Sequence, residues 1–350
     1  MNKVKEIILK INNGSVSWLD FESLTRNEFY EFLRYAYTLK KQYFGNDLKI
    51  YIPNQKFPAI SITGSKCALS CEHCNKKYLE NMRDITNPND LKNFLNDLYE
   101  NDGVGALISG GCDPNGAVPL NDYLGVIKEI KEDTNLIINT HTGLLNRNTA
   151  EMLAQSKIDI VSFDVNVDED IINDIYHLKK KAEDYKIAIE LLQKFNLNIV
   201  PHVCIGLFYG KVKKELDTIN FIKQIFNEPK LIVIIALIPP KVSTNQFKMP
   251  SPENISKIIA TTRILFPKTE ISLGCMRPRG NIKTKLEKLA IKAGINRIEI
   301  PSRTSLNWLT GYDPSIKFQF FSACCAIPPK YEEIARSKVS DLKGYQNYLK

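Results

Sequence analysis

Three cysteines fall within eight residues of the stretch GSKCALSCEHCNKKY: Cys67, Cys71 and Cys74, spaced C-x3-C-x2-C. Thiols this close serve a disulfide, a metal or a reaction, and the compartment decides between them. The N-terminal MNKVKEIILKINNG has only a short apolar stretch and no small-residue cleavage site, so export is not expected. No apolar run approaches the roughly 18 residues of a membrane span; the longest, LIVIIALIPP at 231–240, has the length of a strand. The expected location is the cytoplasm, where disulfides are disfavoured and thiolates bind metals or react. Structural zinc usually takes four ligands from two paired knuckles, and the chain has no second C-x2-C. A four-iron cubane held by three cysteinates keeps one iron open for a non-protein ligand, so three thiols suit that chemistry.

Something must position these thiols. Apolar strand-like runs alternate with amphipathic helical stretches: FPAISITG (57–64), GALISGG (105–111), LIINTHTG (136–143), IDIVSFDVN (158–166), NIVPHVCIGL (198–207), LIVIIALIPP (231–240), EISLGC (270–275) and RIEIPS (297–302). Helix candidates such as LNDYLGVIKEIKED, KKAEDYKIAIELLQKFN, PENISKIIATTRILF and IKTKLEKLAIKAGI lie between them, the last with Gly294 at its C-terminal end. Eight strands each followed by a helix predict an α/β fold, a (βα)8 TIM-type barrel with its site at the C-terminal strand ends; a doubly wound open sheet is the alternative. The expected division is an N-terminal helical extension over 1–56, the barrel over 57–302, and an irregular tail over 303–350 that closes over the barrel mouth. With 350 residues, 43% of them hydrophobic and 25% charged, the chain has ample core for this. The formal charge of +8 is scattered among acidic residues, as on solvated helix faces; a basic patch for an acidic protein partner is the other reading. No aromatic-interleaved basic motif points to nucleic acid.

A C-x3-C-x2-C triplet just after the first strand of such a barrel resembles the radical S-adenosylmethionine (SAM) superfamily. The resemblance implies that Cys67, Cys71 and Cys74 hold a [4Fe-4S] cluster whose open iron is chelated by SAM, and that one electron cleaves SAM to methionine and a 5′-deoxyadenosyl radical. It places His73 beside the adenine. SGGCD at 109–113 is similar to the family's glycine-rich motif, so Gly110 and Gly111 are expected to hold the SAM amino group, although Cys112 stands where the family often has Glu. DVNVD at 164–168 resembles a biotin synthase segment in which Asn and Asp bond the SAM ribose, which carries over to Asn166 and Asp168. Lys181 lies near the position of an Arg that meets the SAM carboxylate. The resemblance runs on through ALIPPKVSTNQFKMPSPENISKIIATTRILFPKTEISLGCMRPRG and covers roughly residues 57 to 302.

Biotin and lipoyl synthases insert sulfur at unactivated carbon and spend a second cluster as sulfur donor. The leftover thiols Cys112, Cys204, Cys275, Cys324 and Cys325 are therefore candidates for an auxiliary iron–sulfur cluster, with burial as a packing residue the plainer reading for Cys204. His141, ending a strand, is a candidate for contact with SAM or substrate, while His177 and His202 read as structural. Arg277, Arg279 and Arg303 have guanidinium forks suited to a planar anion on the substrate. The resemblance implies sulfur insertion in lipoyl cofactor assembly, as in the two-component lipoyl synthases of archaea. Its partners would be an octanoylated carrier protein or peptide, an electron donor such as ferredoxin or flavodoxin, and a second radical SAM subunit. A biotin-synthase-like enzyme, a methylornithine- or maturase-like enzyme acting on a small molecule without sulfur transfer, and a non-catalytic iron–sulfur carrier are the alternatives.

Overall fold

A computed structural model describes residues 2–240, 246–342 and 344–348; residues 241–245, within the stretch just quoted, lie outside the described residues. Three helices open the chain, α1 (Lys3–Asn12), α2 (Trp18–Glu22) and α3 (Arg26–Phe44), followed by strand β1 (Asp47–Tyr51). Ser17 caps α2 and Thr25 caps α3, each through a capping box in which the cap amide donates to the carboxylate of Asp20 or Glu28. Then β2 (Ala59–Ser61) leads through the two-residue β3 (Arg83–Asp84) to α4 (Pro88–Glu100). Next come β4 (Gly105–Ser109) with α5 (Leu124–Asp133), β5 (Ile137–His141) with α6 (Arg147–Gln155), and β6 (Ile160–Asp164) with α7 (Ala182–Lys194). They are followed by β7 (Ile199–Ile205) with α8 (Glu215–Phe226), β8 (Leu231–Ala236) with α9 (Pro252–Leu265), β9 (Glu270–Leu273) with α10 (Lys283–Lys292), and β10 (Arg297–Glu299) with α11 (Arg303–Tyr312). Strand β11 (Lys317–Phe321) and the short α12 (Glu332–Ala335) complete the set. All eight expected strands form, each followed by a helix.

The chain divides into two compact units: Ile52–His202 with Phe321–Asp341, and Met1–Tyr51 with Val203–Phe320 and Leu342–Lys350. In the first, the strands run in the order β7, β6, β5, β4, β2, β3, and every pair is parallel. In the second the order is β11, β1, β10, β9, β8, with β1, β10, β9 and β8 paired in parallel. Parallel strands are covered on both faces and read as continuous apolar runs; β8, Leu231–Ala236, is buried at every position.

This division differs from the expected one in two places. The N-terminal segment is helical only as far as Phe44: DLKIY forms β1 and pairs with β10, Lys49 opposite Arg297 and Tyr51 opposite Glu299, so the extension shares a sheet with the second unit. The tail is not irregular, since it holds α11 and β11. Its 321–341 stretch lies against residues that precede strands of the first unit: the Tyr331 hydroxyl donates to Asp159, and Lys338 pairs with Asp102 at 2.5 Å. It therefore lies at the N-terminal strand ends of that unit and not over the mouth. No helix among the described residues is long and apolar enough to cross a membrane.

Candidate functional site

Within the first unit, the loop after β2 carries Cys67, Cys71 and Cys74, all half-buried and none in a disulfide. Its path is fixed from three sides. From β4, the Gly111 amide donates to the Thr63 hydroxyl at 2.7 Å, the Ala68 amide to the Cys112 carbonyl at 2.8 Å, and the Cys112 amide to the Cys67 thiol at 3.3 Å. A Cβ on Gly111 would lie 2.1 Å from the Lys66 carbonyl oxygen and 2.6 Å from Cys67, so only glycine lets the two loops meet. The paired glycines are thus accounted for by the packing of the cysteine loop itself. From the segment after β6, the Glu72 amide reaches the Ile175 carbonyl at 2.9 Å, the Cys71 thiol faces the Tyr176 carbonyl at 3.6 Å, and His177 stands 3.5 Å from Glu72. Finally, Asn75 and Lys76 adopt positive φ, turning the chain so that the amides of Lys76, Lys77 and Tyr78 point at Cys74. Such a nest of N–H groups favours a thiolate.

These features fit an iron–sulfur cluster. Burial, with the nearby Cys74 and Cys67 thiols adding to it, pushes the Cys71 thiol up to about 12, and burial likewise raises Cys74. Uncomplexed, these thiols hold their protons, and a metal that binds them must displace those protons. Three of a cubane's irons would each take one of these thiolates, leaving the fourth open.

Other expected residues fall around this loop. His73 packs against Tyr176 with ring centroids 5.2 Å apart; its Nδ1 is buried without a hydrogen-bond partner, and burial lowers it to about 4 despite the pull of Asp164. Burial, with the charges of Cys67 and Cys71 behind it, pushes the Cys112 thiol up to about 12. Asn166 and Asp168 are buried and turned toward their own loop, the Asp168 amide donating to Asn166 at 2.9 Å and the Asp170 amide to Asp168 at 3.1 Å. Lys181 is the exposed N-cap of α7, its amide bonded to Asp184. His141 ends β5, half-buried, with Nδ1 3.6 Å from the Asp164 carboxylate.

In the second unit, Cys204 is the penultimate residue of β7 and Cys275 follows β9, exposed. Arg277 needs correcting as a substrate ligand: it is 1% exposed, and its guanidinium is occupied by Glu287 at 3.1 Å, Glu299 at 3.2 Å and the carbonyls of Gly274 and Glu299. Arg279, 55% exposed and 3.8 Å from Glu299, and the exposed Arg303 at the start of α11 keep their reach to solvent. Cys324 and Cys325 need correcting too. They belong to the tail stretch at the opposite strand ends of the first unit, away from the cysteine loop, and Cys325 is only 3% exposed.

Four residues beside the site are not read as functional from sequence: Thr63, Tyr176 and Asp164, which the sequence reading passes over, and His202, which it reads as structural. Strand alternation offers a signal for two of them, because Asp164 closes β6 and its register partner on β7 is His202. Burial, then the neighbouring His141, lowers His202 to about 4. Crowding by protein pushes the Asp164 carboxyl up, but the facing His141, helped by the charges of His202 and His73, outweighs it and holds it below the ordinary value.

Comparison with known proteins places this geometry. A model of the radical SAM superfamily matches residues 61–223, which span the cysteine loop and the ends of β4 to β7. A biotin synthase of Francisella tularensis subsp. holarctica (strain FTNF002-00 / FTA) is 29% identical over 191 residues, 52% of this chain and 58% of that one, so the chain matches little more than half the length of this relative. Among solved structures, methylornithine synthase (PylB) superposes with a TM-score of 0.60 at 16% identity over 84% of this chain and 85% of that one. The FeFe-hydrogenase maturase HydG from Carboxydothermus hydrogenoformans does so with 0.65 at 18% identity over 99% and 84%. At such identities these structures speak to the fold alone: α/β, of the TIM-type barrel class that radical SAM proteins use. The cysteine triplet, Gly111 packed against its loop and the family match agree on one region: residues 61–223, a little under half of the chain, match the radical SAM superfamily.

Proposed function

We propose that this protein is a radical SAM enzyme. The observation that carries the reading is the loop of Cys67, Cys71 and Cys74, held against Gly111 and lined by backbone amides, with no disulfide to explain its thiols. When bound there, a [4Fe-4S] cluster with SAM supplies one-electron cleavage of SAM to a 5′-deoxyadenosyl radical that takes hydrogen from an unactivated carbon. The chain's own residues have other work. The three thiols bind the irons, the amides of Lys76, Lys77, Tyr78 and Cys112 stabilise sulfur charge, and the buried, uncharged His73 with Tyr176 gives a flat apolar wall that keeps water from the loop.

A second, finer reading is sulfur insertion with an auxiliary cluster. The likeness to biotin synthase supports it, as do Cys204 and Cys275 at the C-terminal ends of their strands. Lipoyl assembly on an octanoylated carrier, with ferredoxin or flavodoxin as electron donor, is the form of it that the sequence resemblance suggests. The test is iron, sulfide and SAM cleavage by dithionite after anaerobic reconstitution, on the parent and on the Cys67→Ala, Cys71→Ala, Cys74→Ala triple variant. One cubane gives about 4 irons per chain, and an auxiliary cluster raises this to about 6 to 8. We expect SAM cleavage in the parent and none in the triple variant. A fully loaded parent that leaves SAM intact overturns the enzyme reading, and a parent that stops near 4 irons overturns sulfur insertion.

A further inference from the structure

Strand alternation puts Asn139 and His141 of β5, Ser162 and Asp164 of β6, and His202 of β7 on one face of their sheet, beside the cysteine loop. The contacts agree: the Ser162 hydroxyl donates to Asn139 Oδ1 at 3.0 Å, and the rings of His141 and His202 lie 5.3 Å apart. The charge of Asp164 is near enough to act on both His73 of the cysteine loop and Cys112.

Asp164 does none of the usual work of a strand-end carboxylate. Among the described residues no backbone amide, lysine or arginine bonds to it; its one partner is His141 Nδ1 at 3.6 Å, too long for a good hydrogen bond, and 59% of its side chain is accessible. Asp159, just ahead of the same strand, shows the contrast: it takes Lys131 at 2.7 Å, the Ile138 amide at 2.7 Å and the Tyr331 hydroxyl at 3.1 Å. His202 is equally telling. Its Nδ1 lies 3.0 Å from the Val200 carbonyl, which can only accept, so Nδ1 carries the proton and Nε2 presents a lone pair. Deeper on the same face, Asn139 is fully buried and its amide nitrogen has no hydrogen-bond partner among the described residues, so the polar column is incomplete. An accessible carboxylate and an imidazole lone pair are two acceptors awaiting a donor with several N–H bonds, and an ammonium group is such a donor.

We propose that Asp164 and His202, with His141 beside them, bind a protonated amine on the substrate and so select an amine-bearing molecule over a bare acyl chain. This rests on the radical SAM reading for the identity of the site and deepens it by naming the substrate class. An octanoyl chain calls for an apolar floor; this one is built of Asp, His, Asn and Ser.

The test titrates reconstituted full-length protein by calorimetry with five probes. They are n-butylammonium, n-butanol as its uncharged match, L-norleucine for a free amino acid, Nα-acetyl-L-lysine methylamide for a lysine within a peptide, and octanamide for an uncharged chain. Expected is binding of n-butylammonium and of one of the two lysine- or amino-acid-type probes, with octanamide silent. Asp164→Asn should weaken that binding at least about ten-fold, equal to about 1.4 kcal/mol, with iron content and melting temperature kept. Should that variant fold poorly, the parent alone decides, because it must prefer n-butylammonium to n-butanol. Octanamide binding in place of the amines, or amine affinity untouched by Asp164→Asn, overturns the proposal. SAM cleavage on the same samples separates the two failures: cleavage without an Asp164-dependent amine site sinks this inference alone, and an amine site without cleavage sinks the radical SAM reading alone.

Discussion

The two ends of the unit formed by residues 52–202 and 321–341 are built on opposite principles. At the N-terminal strand ends, polar groups spend themselves on one another: Lys56 bridges Asp102 at 2.9 Å and Asp341 at 3.3 Å, Lys338 meets Asp102, and Tyr331 and Lys131 saturate Asp159. Toward the C-terminal ends, His73 Nδ1 and, deeper in β5, the Asn139 amide are buried without partners among the described residues, and Asp164 stands open. Saturated polar groups hold a structure together, and polar groups left unpartnered at one end of a sheet mark where a ligand completes it. Backbone packing tells the same story, since the tightest glycine contact in the cysteine region, Gly111 against Lys66, brings thiols into place and closes no core.

The largest effect that sharpens this contrast comes from Gly111→Ala. The added methyl has 2.1 Å to the Lys66 carbonyl and nowhere to go but into Cys67, so the loop must move off β4. We expect a destabilisation of about 3 kcal/mol and, after reconstitution, less than half the parent's iron, read by colorimetric iron assay beside a thermal melt. An iron content equal to the parent's would mean that the loop does not depend on this packing. Acid gives the next effect. His202, 6% exposed, is depressed from 6.5 to about 4 in the fold, so it binds a proton less readily folded than unfolded. Its contribution is whole above pH 6.5 and is lost as pH falls toward 4, at a cost of about 2 to 3 kcal/mol. At the other end, hydrogen bonds from Lys338 and then Lys56 lower Asp102 to about 2, so the strap formed by residues 321–341 keeps its ion pair with Asp102 through that window. Hydrogen exchange from pH 7 to 4.5 should show β5 to β7 opening before residues 321–341; the reverse order would break the contrast.

How legible was this in the sequence? Local features were: alternation and apolar runs gave all eight βα units, and the three-thiol spacing with its strand gave the cluster loop, because these rest on contacts between near neighbours in the chain. What stayed hidden depends on distant contacts. Cys324 and Cys325 read as mouth residues because nothing near them reports that Lys338 pairs with Asp102, 236 residues away. DLKIY looks like the end of a helical segment until β10 supplies its partner some 250 positions on. Arg277 reads as an anion ligand until Glu287 and Glu299 claim it. Asp164 is hidden for another reason: in DVNVD the familiar pattern is carried by Asn166 and Asp168, while the significance of Asp164 lies in its having only the distant His141 beside it among the described residues, which the fold alone reveals.

The smallest effect belongs to the saturated end and tests whether it is purely structural. Asp341 is nearly buried, and one of its oxygens takes Lys56 Nζ at 3.3 Å, the Lys338 amide at 3.0 Å and the Ser322 hydroxyl at 3.3 Å. Asp341→Asn keeps an acceptor of the same shape and removes the charge, so the amide and hydroxyl bonds survive and the bond to Lys56 weakens. Lys56 retains Asp102, which limits the damage. We expect a loss of about 1 kcal/mol and a melting temperature lower by about 2 to 4 °C, with iron loading and SAM cleavage as in the parent. A variant that melts normally yet loads less iron would couple the strap to the cysteine loop across the length of the strands, and the division of labour between the two ends would have to be abandoned.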